Sequence, residues 1–262
     1  MDISLYKKIV VKLGTSTLTY DNGRLNLGRI EKIVRAVSDI KNRGSEVILV
    51  SSGAVSAGCA KLHTHRPVSV EEKQAMAAVG QADLMRIYDR FFTAYGHQVA
   101  QILLTRSVVE NDVQRQNAAN TFAQLLTFGC VPIVNENDSV SYEEIRFGGN
   151  DTLSAYVAIL CGADLLVNFS DIDGLFTKNP REYADATLIP HVYEITDEIL
   201  SMAGGKGTER GTGGMKTKLQ CAKMVTEAGI PMVIANGEDP NVLYDIISGK
   251  AAGTLFHPIK NK

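Results

Sequence analysis

Tryptophan is missing from these 262 residues, proline occurs only seven times, and aromatic residues make up 6% of the chain. No apolar run approaches the 18 or so residues that a membrane span needs, and the N-terminal MDISLYKKIVVKLG is too short in apolar residues for a secretory leader. Four cysteines, Cys59, Cys130, Cys161 and Cys221, include no C-x-x-C pair, which argues against a zinc or dithiol motif and for small buried hydrophobes in a reduced, cytoplasmic protein. Charge of one sign is lacking too: 27 basic residues against 29 acidic leave a net charge of −2, with no basic block to form a nucleic-acid footprint. The five histidines have no ligand spacing beyond His63-x-His65 in a polar loop, so no metal site is expected from them.

What is present is apolar material for a core, 45% of the chain, and 23 glycines that suit tight loops between regular elements. Short β-branched runs recur at Lys8 to Leu13, Glu46 to Val50, Val99 to Leu104, Cys130 to Asn135, Leu165 to Phe169 and Met232 to Ala235, each reading as a strand buried on both faces. Helical spacing separates them: Leu27, Ile30, Ile33, Val34, Val37 and Ile40 closed by Gly44, then Val70 to Tyr95, then Asn150 to Cys161 with Asn or Asp available as its cap. Tyr88, Phe91, Phe92 and Tyr95 at helical spacing suit core or subunit interface. Alternating strand and helix implies an α/β fold around a mainly parallel sheet, and no linker divides the chain, so residues 1–262 are expected to form a single domain.

Ligands of such sheets collect at the carboxyl ends of the strands. Here those ends read Lys12-Leu13-Gly14-Thr15-Ser16, Ser51-Ser52-Gly53-Ala54, Asn135-Glu136-Asn137-Asp138 and Ser170-Asp171-Ile172-Asp173-Gly174. Any one of them is ordinary turn or cap material, but polar chemistry at four strand ends together points to a binding site. The stretch Gly204 to Lys218, GGKGTERGTGGMKTK, opens a further helical pattern and can aim backbone N–H groups at phosphate. It is neither G-x4-G-K-[ST] nor G-x-G-x-x-G. Lys12 at a strand end and Lys216 or Lys218 at a helix start supply paired cations of the kind phosphoryl transfer uses. Asp138, Asn150 and Asp151 could grip an ammonium group, carry Mg²⁺ or orient the lysines, and spacing leaves these roles open.

The ordered motifs VVKLGTS, SSGAVSAG, AAVGQ, LLTR, VPIVNEND, NDTLSA, DIDGLFTKNP and GTGGMKTKLQCA resemble the amino acid kinase family, and within it the members that act on glutamate. The resemblance runs from about Lys8 to Phe256. It implies a three-layer α/β/α sandwich, and transfer of the γ-phosphoryl of ATP, with Mg²⁺, to the side-chain carboxylate of L-glutamate as the first step of proline synthesis. It also implies feedback inhibition by proline and assembly into a dimer or tetramer, without nucleic acid or membrane. By the same resemblance Lys12 and Lys218 stabilise the transferring group from two sides and Asp151 holds the lysines in place. Ser52, Asp138 and Asn150, with Asn135 from the same loop, match the glutamate-binding positions. Gly14, Ser170, Asp171 and the run Thr212, Gly213, Gly214, Met215, Lys216, Thr217 and Lys218 match the nucleotide-binding segments. Two departures stand out: FGGND places Gly149 where many relatives carry an aspartate, and the chain stops at Lys262, where many continue into a PUA domain. A relative acting on aspartate or acetylglutamate, or an amino-acid sensor, would share the fold, but a sensor has no use for transition-state cations.

Overall fold

The computed structural model describes residues 5–141, 149–202, 214–250 and 252–259. In chain order the elements are β1 (Lys8–Leu13), α1 (Thr15–Leu18), α2 (Leu27–Asn42), β2 (Glu46–Ser51), α3 (Ala54–Leu62), α4 (Val70–Ala94), β3 (Val99–Leu104), α5 (Ser107–Glu110) and α6 (Asp112–Thr127). There follow β4 (Val131–Glu136), α7 (Asn150–Cys161), β5 (Leu165–Ser170), β6 (His191–Val192), α8 (Asp197–Met202), α9 (Met215–Glu227), β7 (Met232–Asn236), α10 (Val242–Ile247) and β8 (Thr254–Phe256). The strands form one sheet in the order β3-β4-β2-β1-β5-β7-β8-β6, parallel throughout except between β7 and β8.

Side chains alternate across a strand, so each central strand feeds two cores. Val10, Ile48, Val50, Val134 and Leu166 pack with Phe122 of α6, Leu153 and Val157 of α7, and Leu219 and Val225 of α9. Ile9, Val11, Leu49, Ile133 and Val167 face the other way, onto Ile30 and Val34 of α2, Leu84, Tyr88 and Phe92 of α4, and Leu243 and Ile246 of α10. Helices on both faces of one sheet make the expected three layers, since a sheet apolar on both sides must be covered on both.

All six strands read from the sequence are present, with ends shifted by at most a residue. β3 is not buried on both faces: it lies at the sheet edge and is only half-buried over most of its length. β6 and β8 were missed because two or three residues carry too little periodicity to register. Leu27 is exposed, and of the aromatic group Tyr88 and Phe92 are core while Tyr95 reaches solvent. Of the cysteines only Cys221 is fully buried; Cys59, Cys130 and Cys161 are half-buried, and all four are free thiols. No helix among the described residues is long and apolar enough to cross a membrane.

The closest helix contact is between α3 and α4, where glycines replace side chains. A Cβ on Gly80 would stand 1.8 Å from the carbonyl oxygen of Ala54, and one on Gly58 would stand 2.0 Å from that of Met76. This approach sets α3 against α4 and holds both beside the ends of β2 and β4. Gly80→Ala is expected to destabilise the fold by about 1–3 kcal/mol through overpacking. Gly28→Ala on α2, whose Cβ would meet only Asn26 Oδ1 at 3.8 Å, is expected to be neutral or to stabilise by up to about 1 kcal/mol through helix propensity. Urea unfolding of the two variants side by side checks both signs.

Candidate anion and amino-acid site

From β1 the sheet grows outward in two directions, through β2 on one side and β5 on the other, so the crevice beyond their carboxyl ends is the topological switch point. Lys12, the penultimate residue of β1, is in register with Asn168 of β5, and the two side chains therefore leave the same face of the sheet. On that face α7 brings Asp151 and α9 brings Lys218. One Asp151 oxygen, Oδ1, lies 2.7 Å from Lys12 Nζ and accepts a hydrogen bond from Asn168 Nδ2 at 2.9 Å. The other, Oδ2, lies 3.2 Å from Lys218 Nζ and accepts from Thr217 Oγ1 at 3.0 Å. Lys12 and Lys218 are each 6% exposed and Asp151 3%.

Burial alone would raise the Asp151 pKa, but the two ammonium groups, with hydrogen bonds from Lys12 and Asn168, overcome it and hold the carboxyl well below the usual carboxylate range. Lys218 moves down from the ordinary lysine value, first because it is desolvated and then because Lys12 is a like charge, with Asp151 opposing both. Two buried cations share this one buried anion, with Asp171 acting on Lys218 as well, and ammonium groups so paired suit a site that receives an anion.

The helix starts around it agree. α1, α3, α7 and α9 are all capped by glycine, Gly14, Gly53, Gly149 and Gly214, and none has a side-chain cap hydrogen bond. α9 has no acidic residue in its first turn and carries Lys216 and Lys218 there, against its own dipole. A Cβ on Gly14 would touch Lys12 Nζ at 3.4 Å, an ordinary van der Waals contact. Gly149 adopts φ 98°, ψ 174°, backbone that L residues rarely take, so glycine is the residue suited to this entry into α7. The sequence had offered Asn or Asp as the cap of that helix; Asn150 and Asp151 lie inside it and their side chains are engaged elsewhere.

Beside the charged group lies a chain of amides. Asn150 Nδ2 donates to Ser52 Oγ at 2.7 Å, to Asn135 Oδ1 at 3.1 Å and to the Ser51 carbonyl at 3.2 Å. Asn135 Nδ2 donates in turn to Gln81 Oε1 at 3.0 Å. Asn135 belongs to β4 and is 3% exposed, so it supports Asn150 from behind. Asp138 sits half-buried in the turn after β4. Ser170 and Asp171 stand at the end of β5, where Ser170 Oγ donates to Asp171 Oδ1 and Arg181 pairs with Asp171 at 3.0 Å. Met215 and Thr217 open α9 next to Lys218, while Lys216 points to solvent. Thr212 and Gly213, with most of the glycine-rich stretch, lie outside the described residues. Two of these residues, Asn168 and Gln81, are not among those the sequence singles out; the signal for the first is a polar residue inside the apolar run LLVNF, and for the second the glutamine closing AAVGQ.

Fold and site together define an α/β/α protein with a cationic, anion-receiving centre at the switch point of its sheet. A model of the amino acid kinase family matches residues 7–236, and the chain belongs to that family. It is 55% identical over 255 residues to a glutamate 5-kinase of Clostridium perfringens, covering 95% of each chain. A glutamate 5-kinase of Caldanaerobacter subterraneus is 52% identical, aligned over 97% of this chain and 68% of its own. Among solved structures, the UMP kinase of Bacillus anthracis superposes with a TM-score of 0.67 at 18% identity over 97% of both chains. An isopentenyl phosphate kinase of T. acidophilum gives 0.63 at 17%, over 95% of this chain and 100% of its own. These structural likenesses carry the fold alone.

Asp151→Asn removes the shared counterion and leaves two buried ammonium groups facing each other. A loss of about 3–5 kcal/mol in stability is expected, as for a buried ion pair broken from one side, read by denaturant melts. The surviving lysines repel, so Lys218 deprotonates at lower pH than before. A protonated lysine is the form that holds an anion, so any anion affinity of this centre is expected below that pKa and lost as pH rises through it. Titrations with inorganic phosphate across alkaline pH should therefore show the loss at lower pH in the variant than in the parent.

Proposed function

We propose that this chain transfers the γ-phosphoryl group of ATP to the side-chain carboxylate of L-glutamate, giving L-glutamyl 5-phosphate, the first step of proline biosynthesis from glutamate. The observation that carries the reading is the Lys12–Asp151–Lys218 bridge at the switch point, with Ser52 and Asn150 beside it. More than half identity to proteins named glutamate 5-kinase supports the acceptor.

Phosphoryl transfer is chiefly positioning and charge neutralisation. The acceptor carboxylate is already ionised at neutral pH, so no general base is needed. Lys12 and Lys218 neutralise charge on the transferring group from opposite sides, and Asp151, with both oxygens occupied, holds them apart at a fixed distance. Gly14, Ser170, Asp171 and the run Thr212 to Lys218 receive the nucleotide. Ser52, Asp138 and Asn150 receive the amino acid. Among the described residues no group of three or more His, Cys, Asp or Glu is arranged to hold a metal. On this reading Mg²⁺ would arrive with the nucleotide, held chiefly by its phosphates, and would supply charge neutralisation there. Feedback inhibition by proline, a cytoplasmic location and a dimeric or tetrameric assembly belong to the same reading.

Lys12→Ala and Lys218→Ala should each lower turnover about a hundredfold or more, the worth of one positioned transition-state charge of about 3 kcal/mol. Asp138→Ala should raise the glutamate KM with a smaller effect on ATP. The check is ATP- and Mg²⁺-dependent turnover with L-glutamate, aspartate and acetylglutamate in parallel, trapping the acyl phosphate with hydroxylamine. Product from glutamate alone supports the reading; near-parental rates in both lysine variants, or product from another acceptor only, overturn it.

A further inference from the structure

The amide chain beside the charged centre has a fixed polarity, set by two backbone groups at its ends. At one end the Ser51 carbonyl can only accept, so the Asn150 side chain must turn its NH2 toward it, as it does at 3.2 Å. At the other end the Glu136 N–H can only donate, so Asn135 must turn its oxygen toward it, at 2.9 Å. That same Asn135 oxygen accepts from Asn150, which leaves the Asn135 NH2 in need of an acceptor inside the protein. Gln81 Oε1 supplies it at 3.0 Å.

Two consequences reach the cleft. Asn150 Oδ1 accepts no hydrogen bond among the described residues and is the face left for a ligand, so Asn150 offers an acceptor and selects a donor such as an ammonium group. Ser52 Oγ already accepts from Asn150, which leaves its hydroxyl hydrogen to donate to an acceptor such as a carboxylate. An amino acid's zwitterion has both groups on adjacent atoms.

We infer that Gln81 is a positioning residue for the amino-acid substrate: its amide oxygen fixes the orientation of Asn135, and through Asn135 that of Asn150 and Ser52. The inference rests on the proposed glutamate reading and adds a residue that touches neither substrate. Three features of the structure support it. Gln81 is 7% exposed, on α4, and the contact of Gly80 with the Ala54 carbonyl leaves that segment little room to shift. The Gln81 Nε2 atom is buried with no hydrogen-bond partner. A buried NH2 without an acceptor is a standing cost, and a residue kept only to fill space would be better replaced by an apolar side chain of the same length. What glutamine provides here that methionine does not is the acceptor oxygen.

Gln81→Met keeps the length, removes the acceptor and also removes the orphaned donor. Steady-state turnover of the full chain is expected to show the glutamate KM raised about tenfold, the worth of roughly one hydrogen bond, with kcat and the ATP KM within about twofold of the parent. The melting temperature without substrate should change little, because one orphaned donor, Gln81 Nε2, is exchanged for another, Asn135 Nδ2, and the KM-against-kcat split is what separates positioning from a merely structural bond. Gln81→Glu, which presents an acceptor oxygen whether ionised or not, should restore the glutamate KM to within about threefold of the parent. Combined with Asn135→Ala, Gln81→Met should add nothing, because the two act as one unit. An unchanged glutamate KM in Gln81→Met, equal losses for glutamate and ATP, or full additivity with Asn135→Ala would each overturn the inference. A parent chain that turns over glutamate beside an unaffected Gln81→Met defeats this inference alone, whereas a parent with no glutamate turnover defeats the functional reading beneath it.

Discussion

Two ammonium groups share one carboxylate in an interior that water barely reaches, and the rest of the site is arranged around that fact. Lys12 and Lys218 repel each other, and each would be costly to bury alone. Asp151 makes the arrangement tolerable by giving each lysine its own oxygen, and Asn168 and Thr217 complete the carboxylate's hydrogen bonds. Both ammonium groups are held in place by the shared carboxylate. Charge that is already oriented costs no reorganisation at the moment of reaction, which is why such a centre can act on a transferring phosphoryl group.

The fold's task is to bring these groups together from distant parts of the chain. Lys12 comes from β1, Asn168 from β5, Asp151 from α7 and Lys218 from α9. Parallel strands end at one edge of the sheet, and from β1 the strand order runs outward in opposite directions, through β2 and through β5, so the groups meet at that switch point. Glycine at four helix starts keeps backbone N–H groups uncovered by side-chain caps, and at Gly149 permits a backbone turn that other residues rarely make. In the amide chain beside the charged centre, Asn150 donates both to Ser52 and to Asn135, and Asn135 donates to Gln81. One half of the cleft is thus organised by charge and the other by hydrogen-bond polarity.

Much of this was legible in the sequence, for identifiable reasons. Runs such as KIVVKL and EVILV are apolar on both sides because the strands they form are covered on both sides, and they located β1 and β2 to within a residue. Lys12 and Ser52 stood out because they sit at strand ends where ligands gather, and Asn150, Asp151 and Lys218 because they open helices; their separate roles came from the family resemblance. β6 and β8 are too short to show a period, and β3 reads as buried although it is the edge strand and only half-buried. Asn150 was offered as a helix cap, yet Gly149 takes that position and Asn150 is drawn instead to Ser51, Ser52 and Asn135.

By itself the sequence determined the alternation of strand and helix, the three-layer class and the residue types available at each strand end, since these follow from local periodicity and composition. Tertiary structure alone decided which of them meet. That Lys218 and not Lys216 joins Lys12 depends on which face of α9 turns inward, and that Asn168 and Gln81 matter at all depends on register across β1 and β5 and on the glycine contact between α3 and α4. Contacts between residues tens to hundreds of positions apart are set by how the layers pack, and no local pattern encodes them.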